Sequence, residues 1–133
     1  MMKYLAAYGA TLVVLLTLDL IWLGVVAKPL YRDGIGHLMA ENANLGPAAV
    51  FYLVYVAALL FYGVAPHAAT RGLAAAAQSA AIFGFFVYAV YDLTNLAVLR
   101  SWPIGLSLID VTWGVCVSTL STVAGKFAFD RVG

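Results

Sequence analysis

The chain has very little charge and almost no cysteine. Of its 133 residues only 10% are charged, the net charge is +1, and Cys116 is the single cysteine. One cysteine excludes an internal disulfide and a Cys-x-x-Cys redox pair, and we expect it to be a buried thiol that packs as a small hydrophobic side chain. The bases are scattered, which leaves no electrostatic footprint for a nucleic acid. We therefore expect no nucleic-acid partner.

Polar residues are scarce because the chain is 65% hydrophobic, with a mean hydropathy of +0.98. A soluble domain is about half apolar and about a quarter charged, and a core this small cannot hide such an excess of apolar side chains. Four apolar segments approach the roughly 20 residues that a helix needs to cross a bilayer. They lie at about 4–26, 47–64, 73–98 and 104–125. The sequence predicts an all-α polytopic membrane protein, in which residues 1–133 form a single four-transmembrane-helix bundle.

These four segments contain no histidine, lysine or arginine, yet they contain three of the six acidic residues, Asp19, Asp92 and Asp110. The absence of histidine argues against a haem with an imidazole ligand, and we expect no cofactor and no metal. An ionisable group in hydrocarbon costs several kcal/mol, so each aspartate is a candidate functional residue. Without a base at their depth, these carboxyls must be protonated, hydrogen-bonded to one another, or waiting for a cation.

The three aspartates lie at a common depth. Each is six or seven residues from the end of its helix on the side of the first and third loops. At a helical rise of about 1.5 Å per residue, all three are about 9–11 Å below one face of the bundle. We expect them to share one polar site that binds a substrate or protons. The alternative is that they serve only as hydrogen-bonding contacts between helices.

Nearby aromatic and polar side chains are candidates to complete this site. Some follow or precede an aspartate by three or four residues and so share its helix face, whereas the tyrosines of the second segment reach a similar depth. Indole N–H groups can donate to a carboxylate. The candidate binding residues are Asn95, Tyr52, Tyr55, Tyr88, Tyr91, Trp22 and Trp113. An aromatic belt at the membrane surface is the simpler interpretation for Tyr4, Trp22, Tyr31 and Trp102.

Two other patterns concern packing. Apolar residues in the long first loop, residues 27–46, predict a short helix on the membrane surface above the aspartates. Small residues recur every four positions on the third and fourth segments, which permits close helix packing inside the bundle or in a homodimer. These stripes are Ala76, Ala80 and Gly84, and then Gly114, Ser118 and Thr122.

The basic residues give an expected orientation. Four of them lie at the termini and the second loop (Lys3, Arg71, Lys126 and Arg131), and three lie in the first and third loops (Lys28, Arg32 and Arg100). Because positive charge favours the cytoplasmic side, we expect both termini to be cytoplasmic.

Four motifs together resemble a known family of small bacterial membrane proteins. They are Asp19-Leu-Ile-Trp-Leu-Gly, Tyr91-Asp-Leu-Thr-Asn-Leu-Ala, Trp102-Pro and Asp110-Val-Thr-Trp-Gly. The family is a "domain of unknown function" with four spans, and the resemblance covers nearly the whole chain. It implies the bacterial inner membrane and brings no established activity.

Three functions fit these observations. The first is proton-coupled binding or transport of a small, cationic molecule at the buried carboxyls. The second is an intramembrane enzyme that acts on a lipid or an isoprenoid, with Asp92 or Asp110 as general acid. The third is an accessory subunit of a larger membrane complex. No nucleophile, metal or redox motif favours the enzyme. The lipid bilayer is the expected partner in every case.

Overall fold

The computed structural model describes residues 1–132, and this part of the chain consists of helices and turns without a β-strand. Five α-helices follow one another in the order α1 (Met2–Ile21), α2 (Lys28–Ile35), α3 (Leu45–Leu59), α4 (Ala74–Val98) and α5 (Ile104–Arg131). A wide π-helical turn extends α1 to Val26. A similar turn and a short 3₁₀ turn extend α3 to His67.

Four helices, with these extensions, are long and apolar enough to cross a membrane. They span Met2–Val26, Leu45–His67, Ala74–Val98 and Ile104–Arg131. The prediction of an all-α membrane protein with four apolar spans is confirmed. The largest difference in bounds is at the last helix, which continues from the predicted residue 125 to Arg131. Polar partners at this end of the helix, described below, allow it to continue beyond the apolar segment.

Helix α5 lies at the centre of the bundle. It packs along α1 on one side and along α4 on another, and the turn that extends α3 also contacts it. Buried residues recur along α5 at spacings of three and four, from Leu106 to Phe129. The apolar core between α1, α3 and α5 includes Leu15, Leu59 and Val117. Because so much of its surface is buried, α5 contacts each of the other three spans.

The small-residue stripes are used inside the bundle. A Cβ atom on Gly84 would lie 2.7 Å from the carbonyl oxygen of Gly114, so α4 and α5 approach closely at this point. A Cβ on Gly114 would overlap the ring of Tyr88, and one on Gly125 would overlap the hydroxyl of Thr11 on α1. Only glycine fits at such contacts, which is the use of small residues expected between membrane helices.

The second loop is tied to the far end of α5 by a buried charge. Lys126 has an exposed fraction of 0%, although its position suggests a base at a span end. Its ammonium donates to the carbonyl oxygen of Thr70 at 2.8 Å and to the carboxylate of Asp130. The amide of Gly72 donates to the same carboxylate at 3.1 Å. These bonds give the buried ammonium two acceptors and hold the loop between α3 and α4 against α5.

The first loop contains the short helix that its apolar residues predict. Helix α2 packs against the start of α5, where a Cβ on Gly34 would lie 3.1 Å from the ring of Pro103. It therefore covers the end of the bundle that carries the three aspartates. In contrast, the expectation of a buried thiol is wrong, because Cys116 is exposed on the outer side of α5. Its neighbours Gly114, Val117 and Ser118 supply the buried face instead.

Candidate functional site

A cavity of about 340 Å³ lies beneath α2, between the four long helices. Its wall has two carboxyls, six aromatic side chains and two aliphatic side chains, and no basic side chain among the described residues lines it. The lining residues are Asp19, Trp22, Leu23, Tyr31, Phe51, Val87, Tyr88, Tyr91, Asp110 and Trp113. The cavity thus combines two carboxyls with aromatic rings in an apolar surrounding.

Asp19 is held by donors from two other helices. It lies on α1 with 6% of its surface exposed. Its carboxylate accepts a hydrogen bond from the hydroxyl of Tyr52 on α3 at 2.6 Å and another from Nε1 of Trp113 on α5 at 3.0 Å. Hydrogen bonds to a charged acceptor are short and strong. Of the tyrosines expected on the second span, Tyr52 reaches an aspartate, while Tyr55 pairs with Ser118 on α5 at 2.6 Å.

Asp110 is held by a side chain of α2, the short helix in the first loop. The hydroxyl of Tyr31 on α2 donates to its carboxylate, and Nε1 of Trp22 lies 3.4 Å from the same hydroxyl. Burial, together with the bond to Asp110, raises the pKa of Tyr31 far above its ordinary value, so the phenol keeps its proton and remains a donor. The aromatic-belt interpretation of Tyr31 is therefore replaced by a direct role in the site. The signal available in the sequence was a phenol in the loop above the aspartates.

Two indole rings connect the two carboxyls. Trp22 and Trp113 stack with their centroids 4.4 Å apart and their planes 5° from parallel. Trp113 donates to Asp19, whereas Trp22 donates to the phenol that holds Asp110. Trp22 is the first residue of the π-helical turn that ends the first span, and such turns often occur at functional sites. The stack makes the two hydrogen-bonded groups one continuous wall.

The polar face expected on α4 is divided by its helical geometry. Tyr88 and Tyr91 line the cavity, and Tyr91 also makes an edge contact with Trp102 at 6.1 Å. Adjacent residues project about 100° apart around a helix, so Asp92 faces α5 instead of the cavity. Asn95, one turn further along, does not line it either. Neither tyrosine hydrogen-bonds to Asp92.

The three aspartates consequently occupy two places. Asp19 and Asp110 share the cavity, and Asp92 lies on its other side, beside Asp110 and Ser107. Asp92 lines a separate groove of about 500 Å³ between α4 and α5. Within residues 1–132, no group of three or more His, Cys, Asp or Glu side chains is placed to hold a metal ion. The aspartates therefore do not converge on one ion.

Four apolar helices around a cavity with two buried carboxyls define an α-helical polytopic membrane protein. The family described as "Predicted membrane protein (DUF2177)" matches residues 4–127, and the chain belongs to this family. The family's function is unknown, as the resemblance of the four motifs implied. No curated protein matches the chain, and no solved structure does.

Proposed function

We propose that the cavity binds a small organic cation, and that protons compete with this cation for its two carboxyls. The observation that carries the proposal is the composition of the wall, two carboxyls and six aromatic rings without a base among the described residues. The binding of the cation, or its transport across the membrane, is then coupled to protons.

Electrostatics supports a cationic ligand. Ionised carboxylates are expensive in an apolar surrounding unless a positive charge compensates them. The bases of the chain lie elsewhere: Lys126, for example, is bonded to Asp130 at the opposite end of α5. A positively charged ligand supplies the compensating charge that the cavity wall lacks.

The aromatic side chains support an organic cation over a metal ion. A cation within about 6 Å of a Trp or Tyr ring gains cation–π attraction, which is strongest where water is excluded. Trp22, Trp113, Tyr31 and Tyr88 all line the cavity. Its volume of about 340 Å³ falls within the roughly 300–1,000 Å³ of small-molecule pockets. The wall therefore suits an alkylammonium group.

Competition with protons follows from the shared carboxyls. Tyr52, Trp113 and Tyr31 donate to the two carboxyls and hold them at the cavity wall, where a proton and a cation would bind to the same oxygens. A protonated Asp19 or Asp110 carries no charge for the cation to pair with. Acidification is therefore expected to weaken cation binding.

We further propose that the protein resides in a bacterial inner membrane with both termini in the cytoplasm. The family resemblance of the motifs supports the location. The larger number of basic residues at the termini and the second loop supports the orientation.

The test uses tetraethylammonium and its neutral analogue with carbon in place of nitrogen, titrated calorimetrically into the purified protein in detergent. We expect Asp19→Asn and Asp110→Asn each to weaken tetraethylammonium binding at least about tenfold, or about 1.4 kcal/mol. Asp33→Asn is the matched control, because Asp33 is an exposed aspartate outside the cavity. Binding should also weaken as the pH falls. Equal affinity for the neutral analogue, or equal loss in the Asp33→Asn protein, would refute the proposal.

A further inference from the structure

Asp92 is a buried acid that the proposed cation site does not use. It lies on α4 with 1% of its surface exposed. Neither carboxyl oxygen has a hydrogen-bond partner among the described residues. Buried polar side chains almost always have such a partner, and the other two buried aspartates do. Asp110 and Ser107 lie beside this carboxyl, but as placed it is buried and pairs with neither of them.

A groove lies beside Asp92, on the side away from the cavity. It is about 500 Å³ in volume, runs between α4 and α5, and shares no lining residue with the cavity. Leu93 and Leu108, at its rim, are 63% and 67% exposed, so the groove opens on the outer surface of the bundle. Polar groups in its wall besides Asp92 include Ser107 and Thr112. Because α4 and α5 are both long and apolar enough to cross a membrane, this opening faces lipid, and an apolar molecule can approach Asp92 from that side.

None of the titratable groups around Asp92 supplies a positive charge. Asp110 on α5 acts directly on Asp92, and Asp92 in turn acts on Tyr31 of α2 and on Tyr91 of its own helix. Cys116 is the other titratable side chain in the groove wall. Each of these groups is neutral or negative, so an ionised Asp92 has no compensating charge nearby. Addition of a proton removes the uncompensated charge in one step.

We propose that Asp92 is a proton-binding site at the interface between α4 and α5, and that its protonation is coupled to that of Asp110 across this interface. Asp92 borders the groove, which opens on lipid, whereas Asp110 faces the cavity on the other side of the interface. Proton binding at Asp92 does not depend on whether the cavity binds a cation.

The test is labelling with dicyclohexylcarbodiimide, an apolar reagent that adds to protonated carboxyls in hydrophobic surroundings. Purified protein in detergent is treated over a series of pH values, and the modified residues are located by mass spectrometry. We expect Asp92 to be modified, because only the protonated carboxyl reacts. Above the pH midpoint of its titration, the rate should fall about tenfold per pH unit. Asp19 and Asp110 should react more slowly, because donors occupy their oxygens. Asp92→Asn should lose the label and Asp92→Glu should keep it.

Coupling is tested in the same assay with Asp110→Asn, and Asp19→Asn is the matched control on the far side of the cavity. Removal of the neighbouring acid should shift the pH midpoint of Asp92 labelling, and the control should leave it unchanged. The proposal is overturned if Asp19 or Asp110 is labelled in preference to Asp92, or if no carboxyl reacts. A pH-independent rate at Asp92, or an unchanged midpoint in Asp110→Asn, also overturns it. Because wild-type mapping suffices for the site itself, a failure of tetraethylammonium binding leaves this test intact.

Discussion

At the scale of single residues, one phenol makes hydrogen bonds to two other groups of the cavity wall. Tyr31 reaches down from α2, donates to Asp110, and accepts from Trp22. Without this hydroxyl the buried carboxyl would lose its only hydrogen-bond donor within the described residues. Leaving a buried charged acceptor unpaired costs about 1–3 kcal/mol or more. Tyr31→Phe should therefore lower stability by about that amount near neutral pH.

The contribution of Tyr31 should also depend on pH. Burial and the bond to Asp110 raise its pKa above the value of about 10 of a free phenol. The unfolded chain then loses this proton at a lower pH than the folded protein does. The stabilisation is complete below about pH 10 and is lost as the pH rises beyond it. Thermal melts in detergent should show a constant difference between wild type and Tyr31→Phe from about pH 7 to about pH 9, and a shrinking difference above about pH 10. A difference that stays constant in this alkaline range would contradict the assignment.

At the scale of helices, the contact between α4 and α5 sets the shape of the site. Tyr88 lies against Gly114, where any side chain would overlap its ring. The same pair of helices separates the cavity from the groove, since Tyr88 faces one and Asp92 the other. A small change in their separation therefore alters both spaces.

The substitution Gly114→Ala tests this contact. The added methyl must displace the ring of Tyr88, and such overpacking typically costs about 1–3 kcal/mol. Because Tyr88 lines the cavity, we expect weaker tetraethylammonium binding as well as a lower melting temperature. Gly105→Ala on the same helix is the matched control, since a Cβ there meets nothing within 4 Å. Equal melting temperatures for the two variants would show that α4 and α5 can separate without penalty.

At the scale of the whole molecule, the four spans place the two groups of loops on opposite faces. Loops one and three, with α2, lie at the end that carries the aspartates, and the second loop lies at the end of α5 that carries Lys126. The cavity is therefore much nearer to one face than to the other. A transported cation would have to cross most of the bundle from the cavity to the second loop.

Cysteine labelling on intact cells checks the orientation. In a Cys116→Ser background, we expect Arg32→Cys and Arg100→Cys to react with a membrane-impermeant maleimide from outside. Lys3→Cys and Arg71→Cys should react only after permeabilisation. All four residues are exposed, so burial does not explain a missing reaction. The reverse pattern would place the termini outside.

The sequence predicts how deep a residue lies in the bundle much better than it predicts which way its side chain faces. Helical rise alone brings Asp19 and Asp110 to the same level, and apolar length alone predicts the four spans. The sequence does not show in the same way which side of each helix faces the interior of the bundle, because lipid and protein interior are both apolar. For this reason Asp92 and Asn95 were expected in the cavity and Cys116 in the core. The contact of Tyr31 with Asp110 joins residues 79 positions apart, and no local sequence pattern predicts it.

The central position of α5 has a consequence for how the protein is made. This helix follows the other four in the chain, so the ribosome delivers it after them. Until it arrives, Asp19 lacks the indole of Trp113, and the carbonyl of Thr70 lacks the ammonium of Lys126. A nascent chain without α5 thus has one donor fewer at Asp19, and its loop between α3 and α4 is not held. Because Asp110 and Trp113 both belong to α5, the wall of the cavity is complete only once this helix has joined the bundle.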